Sequence, residues 1–230
     1  MRTSITTDAG LYRLLTWLSP AYPLGAFSFS HGLEYAVETG LVRDAAGLEG
    51  WIATVLADGA GRIDAALLAA AWRAAHAGDA AALDDIVALA GAWRGTAETA
   101  LESLSQGAAF VATTRHAWPH PALEALARRG EPVALPVAVA VAAAAHGIGL
   151  EAALVAYTHG LAANLVSAGV RLIPLGQSDG QRVIAALEGC VAAACRRALA
   201  DPLDDLGTAA PMLDWCSMQH ETQYTRLFRS

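Results

Sequence analysis

Only three of the 230 residues are cysteine, Cys190, Cys195 and Cys216, an odd number without a Cys-x-x-Cys pair. That excludes a disulfide framework and a zinc knuckle, and reduced thiols are expected. Charge is scarce as well: Asp, Glu, Lys and Arg make up 16% of the chain, against ~25% in an ordinary globular domain. What charge there is leans acidic, net −7 with a pI near 5.4, and no Lys/Arg run interrupts it. Such a chain repels phosphate backbones, so nucleic acid is not an expected partner. The longest apolar run, residues 133–145, has 13 residues, short of the ~18 that a spanning helix needs. A membrane is therefore not expected either. The opening MRTSITTDAG carries no charged segment leading into an apolar one, so no secretory signal is read and the expected compartment is the cytoplasm.

Catalytic signatures are equally sparse. Gly147, Gly149 and Ala152 fit a dinucleotide-binding GxGxxA, but no acid stands near position 171, where the ribose ligand belongs, and a helix break and restart explains the glycines better. His116 and His120 have metal-ligand spacing, yet Pro119 breaks the helix that would align them. His220-Glu221-Thr222-Gln223-Tyr224 starts like the zincin HExxH and puts Tyr where the second ligand must be. His31, His146 and His159 read as lone histidines near apolar helices. There is no GxSxG elbow, and Asp84-Asp85 and Asp204-Asp205 are adjacent acids that point apart. No catalytic residue and no metal ligand is assigned.

What the sequence has in surplus is apolar mass, 55% of residues, in helical spacing. Leu11, Leu14, Leu15 and Leu18 fall at i, i+3, i+4, i+7, and Leu48, Trp51, Ile52, Val55 and Leu56 repeat the pattern. Alanine-rich stretches at 63–77 and 79–90 favour helix, with Asp79 placed to cap the second. Further helices are read over 31–39, 93–115, 121–129, 136–146, 149–167 and, from a Ser178/Gln181 capping box, 178–200. Val137–Val141 alternates with alanine like a strand, but its continuation into more alanine favours helix. The expected fold is all-α, a single-domain bundle of about ten helices over residues 1–217, with a C-terminal tail at 218–230 that lacks periodicity.

Two places are not explained by core packing. The loop at 20–31 is apolar and aromatic, and the tail mixes the anchors Tyr224, Leu227 and Phe228 with Glu221, Arg226 and Arg229. Both read as contact surfaces.

The residues now permit a comparison. Ser19-Pro20 through Gly25-Ala26-Phe27-Ser28-Phe29-Ser30-His31-Gly32-Leu33-Glu34 strongly resembles the SPxxPxGxFSxSxGLE signature of the UreF urease accessory proteins. Val170-Arg171-Leu172-Ile173-Pro174-Leu175-Gly176-Gln177 is similar to a second signature, and Ser217-Met218-Gln219-His220-Glu221 through Arg226-Leu227-Phe228-Arg229-Ser230 to a C-terminal one. The resemblance implies an all-α, non-catalytic chaperone of nickel insertion that dimerises. It would link UreD (also called UreH) and the GTPase UreG to apo-urease, without a cofactor of its own. Nickel and GTP would be handled by the assembled complex. It implies a tail that orders against UreD/UreH through His220, Glu221, Tyr224, Arg226, Leu227, Phe228 and Arg229. Phe27 and Arg171 are implied to face the dimer partner or UreG. An alternative within the same resemblance makes the chain a GTPase activator that inserts Arg171 as an arginine finger.

Overall fold

The computed structural model describes residues 7–201 and 203–230; the first six residues, part of the stretch read as signal-free, lie outside it, as does Pro202. Twelve α-helices follow one another among the described residues: α1 (Asp8–Trp17), α2 (Leu33–Glu38), α3 (Ala45–Asp58), α4 (Ala60–Ala77), α5 (Ala80–Ala92), α6 (Ala97–Ala117), α7 (Pro121–Ala127), α8 (Leu135–Ala145), α9 (Leu150–Leu172), α10 (Gln177–Ala186), α11 (Glu188–Ala200) and α12 (Pro211–His220). Short 3-10 turns occupy Ala26–Ser28 and Leu203–Asp205. The all-α class expected from the periodicity is what the chain adopts.

The local signals act where the residues place them. Asp79 accepts the Ala82 N–H at 3.0 Å and caps α5, and Pro121 opens α7. Gly147 takes the left-handed conformation that ends α8 (φ 69°), and Gly149 precedes α9, so GxGxxA is a helix break. Several boundaries differ from the sequence reading, among them the start of α6, at Ala97 and not at 93. α10 begins at Gln177, with Asp179 accepting the Gly176 N–H at 3.1 Å in place of the Ser178/Gln181 box. α9 continues to Leu172, so Arg171 lies in its last turn and not in a connection. The stretch after 200 contains a full helix, α12, and the long helix read over 178–200 is divided at Leu187.

The core forms where α8 lies against α4 and α6, with α9, α3 and α11 closing the far side. α8 is buried along its length, Pro136 through Ala143, which is why its valine–alanine alternation has no polar face. α9 is long and apolar enough to cross a membrane by length and composition. Here its apolar residues Leu154, Tyr157, Leu165 and Val166 are covered by neighbouring helices. Inside this core Asp64 holds the Arg94 guanidinium at 2.8 Å and accepts the Tyr157 hydroxyl at 2.7 Å, tying α4 and α9 to the head of α6. The α1 stripe divides: Leu14 and Trp17 are buried, while Leu11 and Leu15 are more than half exposed. Trp17 meets the Phe110 and Trp118 rings edge-on, with centroids at 5.8 and 5.9 Å. Tyr22 bonds the Thr114 hydroxyl at 2.8 Å. These contacts fix the entry to the loop at 20–31.

Cys195 and Cys216 are buried and Cys190 half-buried, all free. Burial pushes the Cys216 thiol up to about 11, so it is not a ready nucleophile. α6 passes so close to the strand-like segment before α8 that a Cβ at Gly107 would lie 1.9 Å from the Val133 carbonyl oxygen. Backbone must move to admit it. Gly107→Ala is expected to destabilise the chain by at least ~2 kcal/mol, read as a lower urea midpoint at unchanged slope.

Candidate functional site

The aromatic loop after α1 turns sharply into α2 through two consecutive left-handed residues, His31 (φ 58°) and Gly32 (φ 74°). His31 is the one non-glycine residue with positive φ among the described residues, a conformation that needs support from its surroundings. Gly32 has a second constraint: a Cβ there would stand 2.8 Å from the Ser217 backbone nitrogen on α12. α12 is thereby seated directly on the start of α2. Ser217 adds a buried hydrogen bond to Thr96 at 2.7 Å, which fixes α12 to the head of α6.

This seating aims His220, the last residue of α12, between two acids. Its Nε2 is 3.0 Å from Glu34 Oε2 and its Nδ1 is 2.8 Å from Glu98 Oε2, with the imidazole wholly buried. Glu34 then captures the tail. The Leu227 N–H donates to Oε1 at 2.6 Å and the Phe228 N–H to Oε2 at 2.9 Å. Beyond them Arg229 N–H donates to the Ser28 carbonyl at 2.7 Å, and Ser30 N–H donates to the Ser230 carbonyl at 2.7 Å. Arg226 reaches back to Glu98 at 3.2 Å. The tail therefore runs beside the 26–31 loop with its backbone groups paired to it.

A second imidazole–carboxylate pair lies beneath. His31 Nδ1 sits 3.0 Å from Glu102 Oε2, both buried, and Glu102 also accepts from the Ser230 hydroxyl at 3.4 Å. Burial works against charge on His31, but the hydrogen bond and negative charge of Glu102 outweigh it and the pKa is raised. Burial also raises Glu98, against the pull of His220 and Arg226.

On the outer side the guanidinium of Arg171 is stacked between two rings, 3.7 Å from the Phe27 centroid and 4.4 Å from the Phe228 centroid. Nη1 donates to the Phe27 carbonyl at 2.9 Å and Nε to the Ser167 carbonyl at 3.1 Å. Arginine suits this place because its planar cation can stack and donate at once. Burial lowers its pKa.

Of the residues singled out from the sequence, Phe27, Arg171 and Phe228 meet in one stack, although they come from three widely separated segments. His220, Arg226, Leu227 and Arg229 are joined to the same site through Glu34, Glu98 and Ser28. His220 is buried and cannot itself touch a partner, whereas Tyr224 is fully exposed and Phe27 and Leu227 about two-thirds exposed. Glu221 and Tyr224 point outward without pairing to this cluster. The tail, implied to order against UreD/UreH, is held here by its own chain, with Glu34 and Glu98 as internal acceptors.

Sequence reasoning gave Glu34 no role beyond its place in the first signature, passed over Glu98 and Glu102, and took His31 as a lone histidine. One signal was present: Glu98, Glu102, Gln106 and Phe110 recur every four residues on α6, and all are buried. Acids on the buried stripe of a helix call for buried cationic or N–H partners. Among the described residues no group of three side chains is arranged to hold a metal ion.

A family model for UreF matches residues 42–188, more than half of the chain. The chain is 58% identical over 229 residues to a urease accessory protein UreF of Granulibacter bethesdensis, covering 99% of this chain and 97% of that protein. It is 53% identical to one of Rhodopseudomonas palustris, over 97% and 93%, and 50% identical to one of a Bradyrhizobium species, over 96% and 92%. The family model leaves out both the 19–34 loop and the tail, but the 229-residue match to the Granulibacter protein extends across both.

Glu34→Ala removes the acceptor for three donors and leaves His220 buried with one partner. The cost expected for breaking such a set is about 3–5 kcal/mol. Trypsin should then cut after Arg226 and Arg229 about a hundredfold faster or more, with the helix content of the rest retained.

Proposed function

The chain belongs to the UreF family of urease accessory proteins, and on that premise we propose that it is a non-catalytic scaffold of urease maturation. It binds UreD/UreH through the tail and 26–31 surface, recruits the GTPase UreG, and presents both to apo-urease. The observation that carries this reading is the division of the site into two layers. Every ionisable group in its floor is buried and engaged with another, so none is free to work on a substrate. Its outer layer offers Phe27, Tyr224 and Leu227 beside the cations Arg226 and Arg229, a mixture of apolar anchors and forked donors that suits a protein interface. The groove beside it, lined by Leu101, Glu98, Glu221, Arg226, Phe228 and Arg229, has room for partner side chains, about 510 Å³.

In this proposal the chain carries no cofactor: nickel and GTP are handled by the assembled complex. Work in the cytoplasm fits the three reduced cysteines. Leu11, Tyr12 and Leu15 form another exposed apolar face, on α1, of the kind a homodimer would cover.

The arginine-finger alternative is the less supported. The Arg171 guanidinium already donates to two carbonyls and lies between two rings, so it would have to abandon all of them to enter a nucleotide site. Arg171→Ala is accordingly expected to weaken UreG binding by roughly tenfold or more. Normal binding with slowed single-turnover GTP hydrolysis would instead revive the finger.

The tail assignment is tested by co-purification. A chain lacking residues 218–230 should fail to capture UreD/UreH while retaining its helical signal, and undiminished capture would refute the assignment.

A further inference from the structure

The environment of His220 contains more acceptors than a neutral imidazole can satisfy. Glu34 already accepts two backbone N–H groups, one on each oxygen, so it faces His220 Nε2 as an acceptor and Nε2 must be the donor. A neutral ring then has a bare lone pair at Nδ1, pointing at both Glu98 oxygens, 3.0 and 2.8 Å away. Two acceptors at that distance, buried together, repel. One additional proton removes the conflict, whether it sits on Nδ1 or on the Glu98 carboxyl. We propose that the Glu34–His220–Glu98 cluster is a proton-dependent clasp, in which one shared proton holds residues 221–230 against the 26–31 loop and its loss releases them.

The surrounding charge favours that proton. α2 contributes Glu34, with Glu38 engaged by Gln223 further out. α6 contributes Glu98 and Glu102. The end of α12 and the tail contribute Glu221 and Arg226, and Arg226 is the one cation in direct contact. Acid outnumbers base around the buried ring.

His31 works in the same direction from below, with Glu102 and Asp64 raising its pKa, Arg94 opposing them, and Asp214 of α12 within its field. For both His31 and Glu98 the folded pKa lies above the ordinary value, 6.5 and 4.5 respectively. Burial of Glu98 thus favours its protonated form, a contribution present below pH 4.5 and lost as pH rises through the raised value; His31 adds a contribution that is full below pH 6.5 and is lost as pH rises through its own raised value. The surface built from Phe27, Arg171 and Phe228 exists only while the tail is docked, so this device controls the surface that the functional reading assigns to partners. The clasp itself is a property of this chain alone.

The test is hydrogen exchange at the Leu227 and Phe228 amides of the full chain without partners, expressed as protection relative to the intrinsic rate, from about pH 6 to about pH 8.5. Protection should fall by roughly tenfold or more across that range, the effect of losing one hydrogen bond to a charged group. Glu98→Gln supplies an N–H donor to Nδ1 without a titrating proton. Made in a His31→Gln background, which removes the second titrating ring, it should flatten the profile, while His31→Gln alone should keep the fall. A pH-independent protection factor in the unsubstituted chain overturns the proposal even if no variant folds, and so does a Glu98→Gln profile that falls as steeply as its parent. Because no partner is present, failure here leaves the UreD/UreH assignment standing, and failure of that assignment leaves the clasp standing.

Discussion

The carboxylate of Glu34 is buried, and a buried charge is tolerated only where its hydrogen bonds are made. It finds three donors, from His220 and from the backbones of Leu227 and Phe228, all of them nearly 200 residues away along the chain. Satisfying this one group requires α12 to end beside α2 and the tail to double back along the loop before it. The left-handed pair His31 and Gly32 follows from the same demand, since α2 must begin with its first turn open toward Ser217. Strain at His31 is offset by its bond to Glu102.

The bundle beneath serves this arrangement as a frame. α8 is encased and α4 and α9 share the Asp64–Arg94–Tyr157 network, so α6 is held firmly and presents Glu98 and Glu102 at fixed positions. α9 delivers Arg171 at its last turn, where the guanidinium joins Phe27 to Phe228. Core, buried polar layer and exposed aromatic rim thus form a sequence from inside to outside. The middle layer is buried, and the aromatic rim lies exposed above it.

Much of the frame could be read from the amino acids. Alanine content, capping residues and apolar spacing locate α3 to α9 to within a few residues, because those signals act locally. α12 was missed for a definite reason: its inward face is Leu213, Cys216, Ser217 and His220, which has ideal helical spacing but is half polar, so hydrophobicity alone does not reveal it. The division at Leu187 was missed because the nearby Gly189 falls inside α11 and not at the break; Leu187 keeps helical dihedrals while ending one helix and starting the next. The α1 stripe was legible as a helix but not as a surface, since periodicity shows that leucines share a face and not whether the chain covers it. At the site, the rim residues were visible as unexplained aromatics. The acids that organise them were harder to see: the four-residue spacing of Glu98 and Glu102 with Phe110 hints at a buried stripe, but a glutamate such as Glu34 gives no sign of whether water or a distant N–H will be its partner.

The central claim is that three distant segments form one surface within a single chain. Nuclear Overhauser contacts from the Arg171 side chain to the aromatic rings, measured on the isolated chain near pH 6, test it most directly. The account predicts cross-peaks from Arg171 to both Phe27 and Phe228, with the Arg171 resonances shifted by the two rings. Random-coil shifts for residues 221–230 and no contact from Arg171 to the Phe228 ring would contradict it.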